Sequence, residues 1–479
     1  MQERKHFYSS LGWLLLLNAI IKPLWIFGID RQVQNIAGTT AYGTYFSLLN
    51  FSIIFSFLLD WGLTTYYNRQ LSAKKDFLAQ AGSFLLLKLL FAFLYIAVVL
   101  IVAFAAGIRQ WHLLVLVLAV QVLTSLFIFL RNIFSALQWY RTDAWLSVLD
   151  KGLMILVCGS YILLPAIFGQ LDIRLFLYIQ LFCTTLAIFI AFLILFWHKI
   201  RFSFAKQKVF NWQQLKSVLP FALIVLLMSA HYRLDGFLLE RLHPDGPAQA
   251  GIYAMAYRLL DAANMIGFLV ASFLLPFIAR HFSTGVSVTE VILNSRHLLM
   301  LFSISIAMAA FYLAPWIQQL LYHTTDRSTA SVLQFCIPAL IGYSMVQVYG
   351  TVLTATGYIM TFCKIVLTSL LLNLIINIWL IPGQGAQACC YAAMASQWFC
   401  GVATLLLVKQ KTGIPIDNKS ILLYLFLALL LALGYWLGKM AGMPPAALLA
   451  GSIILTFILS FITGLFSCKQ WKNYLLPKQ

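Results

Sequence analysis

Two ionisable residues stand inside an apolar run from Gly251 to Pro276: Arg258 and Asp261. Three residues apart on a helix, they share a face and can pair. A charge at mid-bilayer costs about 2.5–3.5 kcal/mol, so such residues face a bundle interior or a water-filled cavity. Tyr253 and Tyr257 flank the arginine. Lys22 is a second case, deep in the first apolar run and followed by Pro23. Proline removes a backbone donor and bends the helix, and neighbouring groups must satisfy what it frees. The bland alternative is a lysine snorkelling to the interface, but from mid-span that reach is long. His231, Arg233 and Asp235 form a third group, with His231 and Asp235 four apart on one face. They read either as a polar helix end or as a charged cavity rim with proton carriers. Lys88 is a fourth, divided between cavity lining and snorkelling inward.

The chemistry common to these positions is anion binding. Cations outnumber acids, and a cationic interior attracts an anion. Arginine meets phosphate as a planar fork and lysine meets it as a point charge. The candidate anion-binding residues are therefore Lys22, Arg258, Arg233 and Lys88. Asp261, Asp235, His231, Tyr253 and Tyr257 are the cavity or coupling candidates, and Pro23 and Gly28 the hinge candidates. No paired carboxylates, metal-ligand spacing or phosphate-binding glycine loop accompanies them. No catalysis, metal or cofactor is expected.

The elements that carry these residues follow from composition. The chain has 479 residues, 62% hydrophobic and only 10% charged, with net charge +18; its mean hydropathy is +0.90. Soluble domains are about 25% charged, so this is an all-α polytopic membrane protein. The basic excess is explained by Lys/Arg-rich cytoplasmic loops, and a nucleic-acid partner is not expected. Spans of about 20 residues divide the chain into about fourteen transmembrane helices. The first two are residues 11–29 and 41–60, the eighth 251–278 and the last 444–467. With both termini inside, most Lys and Arg fall in inside segments, with Arg131, Lys151 and Arg296 counted among them. The N-terminal run lacks a small-residue cleavage site and reads as the first span, not a signal peptide. The eight cysteines lie in or beside apolar runs and read as packing residues.

The longest inside loop, residues 199–214, alternates lysines with aromatics and reads as a linker. It separates an N-terminal lobe (1–198, six spans) from a C-terminal lobe (215–410, six spans). Residues 411–479 hold two further helices and a cytoplasmic tail. Weak self-similarity supports the two lobes. Asp30-Arg31 precedes Tyr42-Gly43-Thr44-Tyr45, and Glu240-Arg241 precedes Gly251-Ile252-Tyr253. In each lobe an acid–base pair is followed by a Gly-x-Tyr that opens a helix.

These pieces resemble a known family. Gly251, Tyr253, Arg258, Leu259-Leu260-Asp261 and Phe273-Leu274-Leu275-Pro276 stand in the order found in the multidrug/oligosaccharidyl-lipid/polysaccharide exporter superfamily. Tyr42-Gly43-x-Tyr45, Asp60-Trp61-Gly62-Leu63 and Gln138-Trp139-Tyr140-Arg141-Thr142-Asp143 are similar to its polysaccharide, O-antigen type branch. The resemblance implies two six-helix lobes around a central cationic cavity that opens alternately to each side. It implies a flippase that carries a polyprenyl-pyrophosphate-linked oligosaccharide across the bacterial inner membrane. The partners it implies are that glycan, membrane lipids and glycan polymerase machinery. Arg258 and Lys22 occupy the places of the anion-site cations of related lipid-linked-sugar flippases. The alternatives are a peptidoglycan-precursor flippase, a cation-coupled drug exporter, or a membrane glycan polymerase or ligase. An enzyme of that last kind needs acids on sizeable outer loops, and here those loops are short.

Overall fold

A computed structural model describes residues 13, 16–18, 20–73, 75–200, 212–282, 288–415 and 418–463. The inside loop 199–214 and the tail fall largely outside this range. Among the described residues there are helices and no strands. Twelve helices are long and apolar enough to cross a membrane, and a bent pair, Leu16–Ile54 with Ser56–Asn68, is a further candidate. Their outer faces are built for lipid: Phe104 is 77% exposed and Trp379 82%. In water such faces would aggregate, whereas in a bilayer they are solvated. The seven described cysteines are buried.

The first long helix, α1 (Leu16–Ile54), carries the first two expected spans. Directly after Pro23 its backbone widens into a π-helical turn, Leu24–Asp30. A widened turn is one way a helix absorbs the carbonyl that proline leaves without a donor. Gly28 sits in that turn. The sharp break comes later, at Gly38, with φ 76° and ψ 168°. A side chain there would force a strained backbone, so glycine is what allows the two arms to meet. Among the described residues this gives twelve candidate spans, or thirteen with the bent pair, against the about fourteen expected.

The remaining helices are α2 (Leu63–Ala73), α3 (Ala81–Ala105), α4 (Trp111–Ala136), α5 (Tyr140–Leu163) and α6 (Ile173–Trp197), then α7 (Trp212–Leu242), α8 (Gly246–Phe282), α9 (Thr289–Tyr322), α10 (Arg327–Cys336), α11 (Ala339–Ala355), α12 (Ile359–Gln384), α13 (Ala386–Thr412), α14 (Asn418–Met440) and α15 (Pro445–Ile462). The chain forms two compact units, Met1–Arg241 with Asp245–Gly251, and Leu242–Pro244 with Ile252–Gln479.

In the first unit, aromatic packing joins α2, α3, α4 and α6. Tyr67, Phe84, Phe129 and Phe134 form its buried centre with Leu63 and Ala187. A second cluster joins α1 and α3 through Phe51, Tyr95 and Val99. The glycines of the sequence repeat have a direct structural role. A Cβ at Gly43 would stand 1.9 Å from the Pro247 carbonyl oxygen, and one at Gly251 only 2.0 Å from that of Thr39. Gln34 Nε2 donates to the Gly251 carbonyl at 2.9 Å. The two Gly-x-Tyr openings are thus where backbones touch, a contact only glycine permits. Tyr42 of the first opening donates its hydroxyl to Asp30 at 2.9 Å.

In the second unit, α11 and α13 approach through small residues. A Cβ at Gly342 would fall 2.5 Å from the Gln397 carbonyl carbon, and Gly401 lies against Met345. Such close approach supplies the van der Waals contact that holds helices together in lipid. The last two helices pack on α9: Leu301 and Ile304 meet Tyr424, Leu427 and Leu431 of α14. Leu448 of α15 joins Leu313 and Tyr435.

Candidate functional site

Two helix faces in the first unit carry a polar stripe. On α1 the stripe is Asn18, Lys22 and Trp25, at positions i, i+4 and i+7. On α5 it is Asp143, Ser147, Asp150 and Lys151, at i, i+4, i+7 and i+8. Both spacings put residues on one helix face. Asn18 Nδ2 donates to Ser147 Oγ at 2.8 Å. Lys151 Nζ lies 5.1 Å from the centre of the Trp25 ring, a cation–π contact. Trp25 is itself stacked on Phe176 of α6, with centroids 5.8 Å apart and planes at 7°.

The charges of this region do not balance. Arg131 of α4 pairs with Asp143 at 3.0 Å. Lys151 pairs with Asp150 at 3.3 Å. Lys22 is half-buried, and the charges acting on it are Arg131, Asp150 and Lys151. Among the described residues it is the cation beyond the two pairs. A surplus ammonium inside a bilayer protein is costly unless an anion joins it. A tryptophan and an amide, Trp25 and Asn18, share its helix face.

The sequence reading missed two members of this cluster. Arg131 and Lys151 were assigned to inside segments, but both stand within helices, α4 and α5. The signal was available: Asp143, Ser147, Asp150 and Lys151 recur at helical spacing from Tyr140 onward. The first residues of α5 are polar enough to pass for a loop.

Lys88 occupies a different setting. Its ammonium donates to Asp60 Oδ1 at 2.6 Å, Ser125 Oγ at 2.8 Å and the Leu59 carbonyl at 3.1 Å. Three donors meet three acceptors, which is all an ammonium has to offer. Asp60 also accepts from the Thr64 hydroxyl and from its N–H at 3.3 Å. A cavity of about 340 Å³ borders the pair, lined by Gln121, Thr124 and Asn132 among others. Lys88 therefore brings its own counter-charge.

On α7, His231 and Asp235 are both buried, each 2% exposed. Half-buried Arg233 directs Nη1 toward Asn50 Oδ1 at 3.5 Å, a long contact. Gly236 lies against Asn50 and Phe46, where a Cβ would come within 2.6 Å. α7 thus packs on α1 within the first unit.

In the second unit, Arg258 and Asp261 are half-buried on α8, and Tyr253 and Tyr257 are buried with centroids 5.3 Å apart. The Tyr322 hydroxyl donates to the Met255 carbonyl at 3.1 Å and ties α9 to this part of α8. Arg296 is another buried cation that sequence reasoning put at a span edge. It stands in α9, which begins at Thr289.

Comparison with known proteins agrees with the fold. Residues 10–282, more than half of the chain, match the family model described as polysaccharide biosynthesis protein. The chain belongs to that family. Among solved structures, the lipid II flippase MurJ in an inward closed conformation is similar with a TM-score of 0.68 and 14% identity, over 94% of this chain and 98% of that one. An outward-facing multidrug resistance MATE transporter of the MOP superfamily gives 0.61 and 13%, over 85% and 96%. A MOP superfamily transporter from Pyrococcus furiosus, described by the reverse polarity of its binding pocket, gives 0.56 and 12%, over 84% and 92%. No curated protein matches. At such identities the likeness establishes the fold. It is the fold of the exporter superfamily which the Gly251–Pro276 motifs resemble, and the chain is a multi-pass membrane protein.

Proposed function

We propose that this member of the polysaccharide biosynthesis family moves a polyprenyl-pyrophosphate-linked oligosaccharide, a repeat unit of O-antigen, capsule or exopolysaccharide, from the inner to the outer leaflet of a bacterial plasma membrane. The observation that carries this reading is the surplus ammonium of Lys22, set among Arg131, Lys151, Trp25 and Asn18. A pyrophosphate of about two negative charges complements it, and charge-assisted hydrogen bonds to lysine and arginine are short and strong. Trp25 adds an apolar ring on the same helix face. Arg258, with Tyr253 and Tyr257 beside it and Asp261 as orienting partner, is the anion-binding arginine of the second lobe. Arg233 stands in reserve next to buried His231 and Asp235, the candidate proton carriers.

Transport proceeds by alternating access of two lobes, residues 1–198 and 215–410, joined by 199–214 and followed by two extra helices in 411–479. Pro23, Gly28 and the break at Gly38 are the bend points of α1. The contact of Gly236 with Asn50 is one that rocking must break or carry along. Both termini lie in the cytoplasm, so the negative-inside potential favours export by about 2.3 kcal/mol per charge per 100 mV. The polyprenyl tail stays in lipid, membrane lipids surround the outer faces, and glycan polymerase machinery receives the product. The chain itself performs no catalysis.

The test is export in cells that depend on this chain, with the lipid-linked saccharide that accumulates inside identified chemically. Lys22→Gln is expected to lower export at least tenfold, and Lys22→Arg to retain it. Unchanged export by Lys22→Gln overturns the anion site. Accumulation of a peptidoglycan precursor in place of a repeat unit would assign the site to that substrate instead.

A further inference from the structure

A separate cavity lies within the second unit. α14 packs on α9 and α13 packs on α11, which leaves a cleft between α13 and α14. The cleft is a cavity of about 630 Å³, with a floor that includes Ile304 and Met345 and walls that include Val402 and Leu425. Its walls are apolar and open outward, with Val402 46% and Leu425 58% exposed. On a helix bundle with lipid-facing sides, that opening meets acyl chains.

One end of the cavity is different. Arg296 lines it there together with Tyr349 and Tyr424. Both tyrosines are buried. Tyr424 is held in turn by His297, its oxygen 2.6 Å from Nδ1. The same end is basic at the surface. Exposed Lys409 and Lys411 close α13, one turn beyond Leu406 of the wall, and exposed Lys419 stands two residues before Ile421 of the opposite wall. From Arg296 to Phe311, the lining of α9 runs about 22 Å at ~1.5 Å per residue, and one leaflet of hydrocarbon is about 15 Å deep.

We propose that this cleft binds one bilayer phospholipid with an anionic headgroup. Its phosphate meets Arg296 and the tyrosine hydroxyls, its headgroup lies among Lys409, Lys411 and Lys419, and one acyl chain lies along α9. Basic pockets between transmembrane helices at the cytoplasmic side are the usual place for such lipids. The volume is that of a pocket for one small molecule, which suits an acyl chain better than a much longer polyprenyl chain. The bound lipid fills the space between α13 and α14 and so fixes the two C-terminal helices on the rest of the unit.

The full chain is reconstituted in phosphatidylcholine nanodiscs containing phosphatidylglycerol, and retained lipid is read by native mass spectrometry. The wild type is expected to retain phosphatidylglycerol at least fivefold over its share of the bilayer, and thermal unfolding is expected to rise with its content. Arg296→Gln should bring retention down to the bulk share. Because Arg296 is buried and its loss can disturb folding, Ala428→Trp, which fills the cavity from its wall, is measured in parallel and should have the same effect. Retention that follows bulk composition in the wild type, or enrichment that survives Ala428→Trp, overturns the proposal. So does the recovery of a polyprenyl phosphate from this cleft in place of phospholipid. None of these outcomes bears on Lys22, so the transport reading stands or falls separately.

Discussion

Lys22 and Lys88, two intramembrane lysines of the first unit, solve the same problem in opposite ways. Lys88 is matched one to one with Asp60, and its three donors have three acceptors. Lys22 joins a region where two acids already serve Arg131 and Lys151. The first arrangement is closed, and adding an anion would only unbalance it. The second is one negative charge short. A lysine within a span therefore says little alone; the count of acids around it decides whether it is a strut or a receptor.

Removing the counter-charge of the closed pair should have the largest effect on stability. Asp60→Asn leaves a buried ammonium without its anion, a change that costs about 3–5 kcal/mol. Expression and thermal unfolding in detergent should both fall sharply. The double variant Asp60→Leu/Lys88→Met removes both charges and should recover most of the loss. If Asp60→Asn is as stable as the wild type, the pair is not the strut described here.

The glycine contact gives the next effect and tests the frame that presents Lys22. Gly43→Ala and Gly251→Ala each drive a methyl into a carbonyl about 2 Å away. Overpacking of this kind costs about 1–3 kcal/mol, and thermal unfolding should report it for both variants. A silent Gly251→Ala would mean the two Gly-x-Tyr openings do not meet as described.

Lys22→Gln should show the opposite pattern from Asp60→Asn. Taking away a surplus charge relieves desolvation, so stability is expected to hold or rise while export falls. A Lys22→Gln protein that unfolds like Asp60→Asn would place Lys22 with the struts.

An exposed carboxylate outside both regions sets the small end of the scale. Asp326 caps α10, accepting from the Ser328 N–H at 3.0 Å and from the Ser328 hydroxyl. These hydrogen bonds hold its carboxyl below the usual range. The stabilisation is therefore complete above the unfolded value of about 3.9 and is lost as pH falls through the lower folded value. Asp326→Ala should cost about 1 kcal/mol, measured by thermal unfolding at neutral pH, with the difference from wild type shrinking in acid.

Much of the fold could be read from the chain because the bilayer imposes helices of fixed length, and apolar runs report them. The Gly-x-Tyr repeat was visible too, since a backbone contact admits no other residue. Lys22 stood out because Pro23 and a long apolar run surround it. Arg131, Lys151 and Arg296 did not, because a basic residue near a span edge looks the same whether the helix ends there or continues. Tertiary partners, Asp143 on the next helix for Arg131 and the tyrosines near Arg296, distinguish the two cases. Asp60 did not stand out as a counter-charge for the same reason: its partner Lys88 is on another helix.

The central claim is that the Lys22 ammonium holds a pyrophosphate. Binding of polyprenyl pyrophosphate to the purified, reconstituted chain tests it directly in the wild type, Lys22→Arg and Lys22→Gln. A hydrogen bond to a charged group is worth about 1.5–3 kcal/mol, which corresponds to a loss of about tenfold or more in affinity. The account predicts that loss for Lys22→Gln and near wild-type binding for Lys22→Arg. Equal affinity in all three proteins would contradict it.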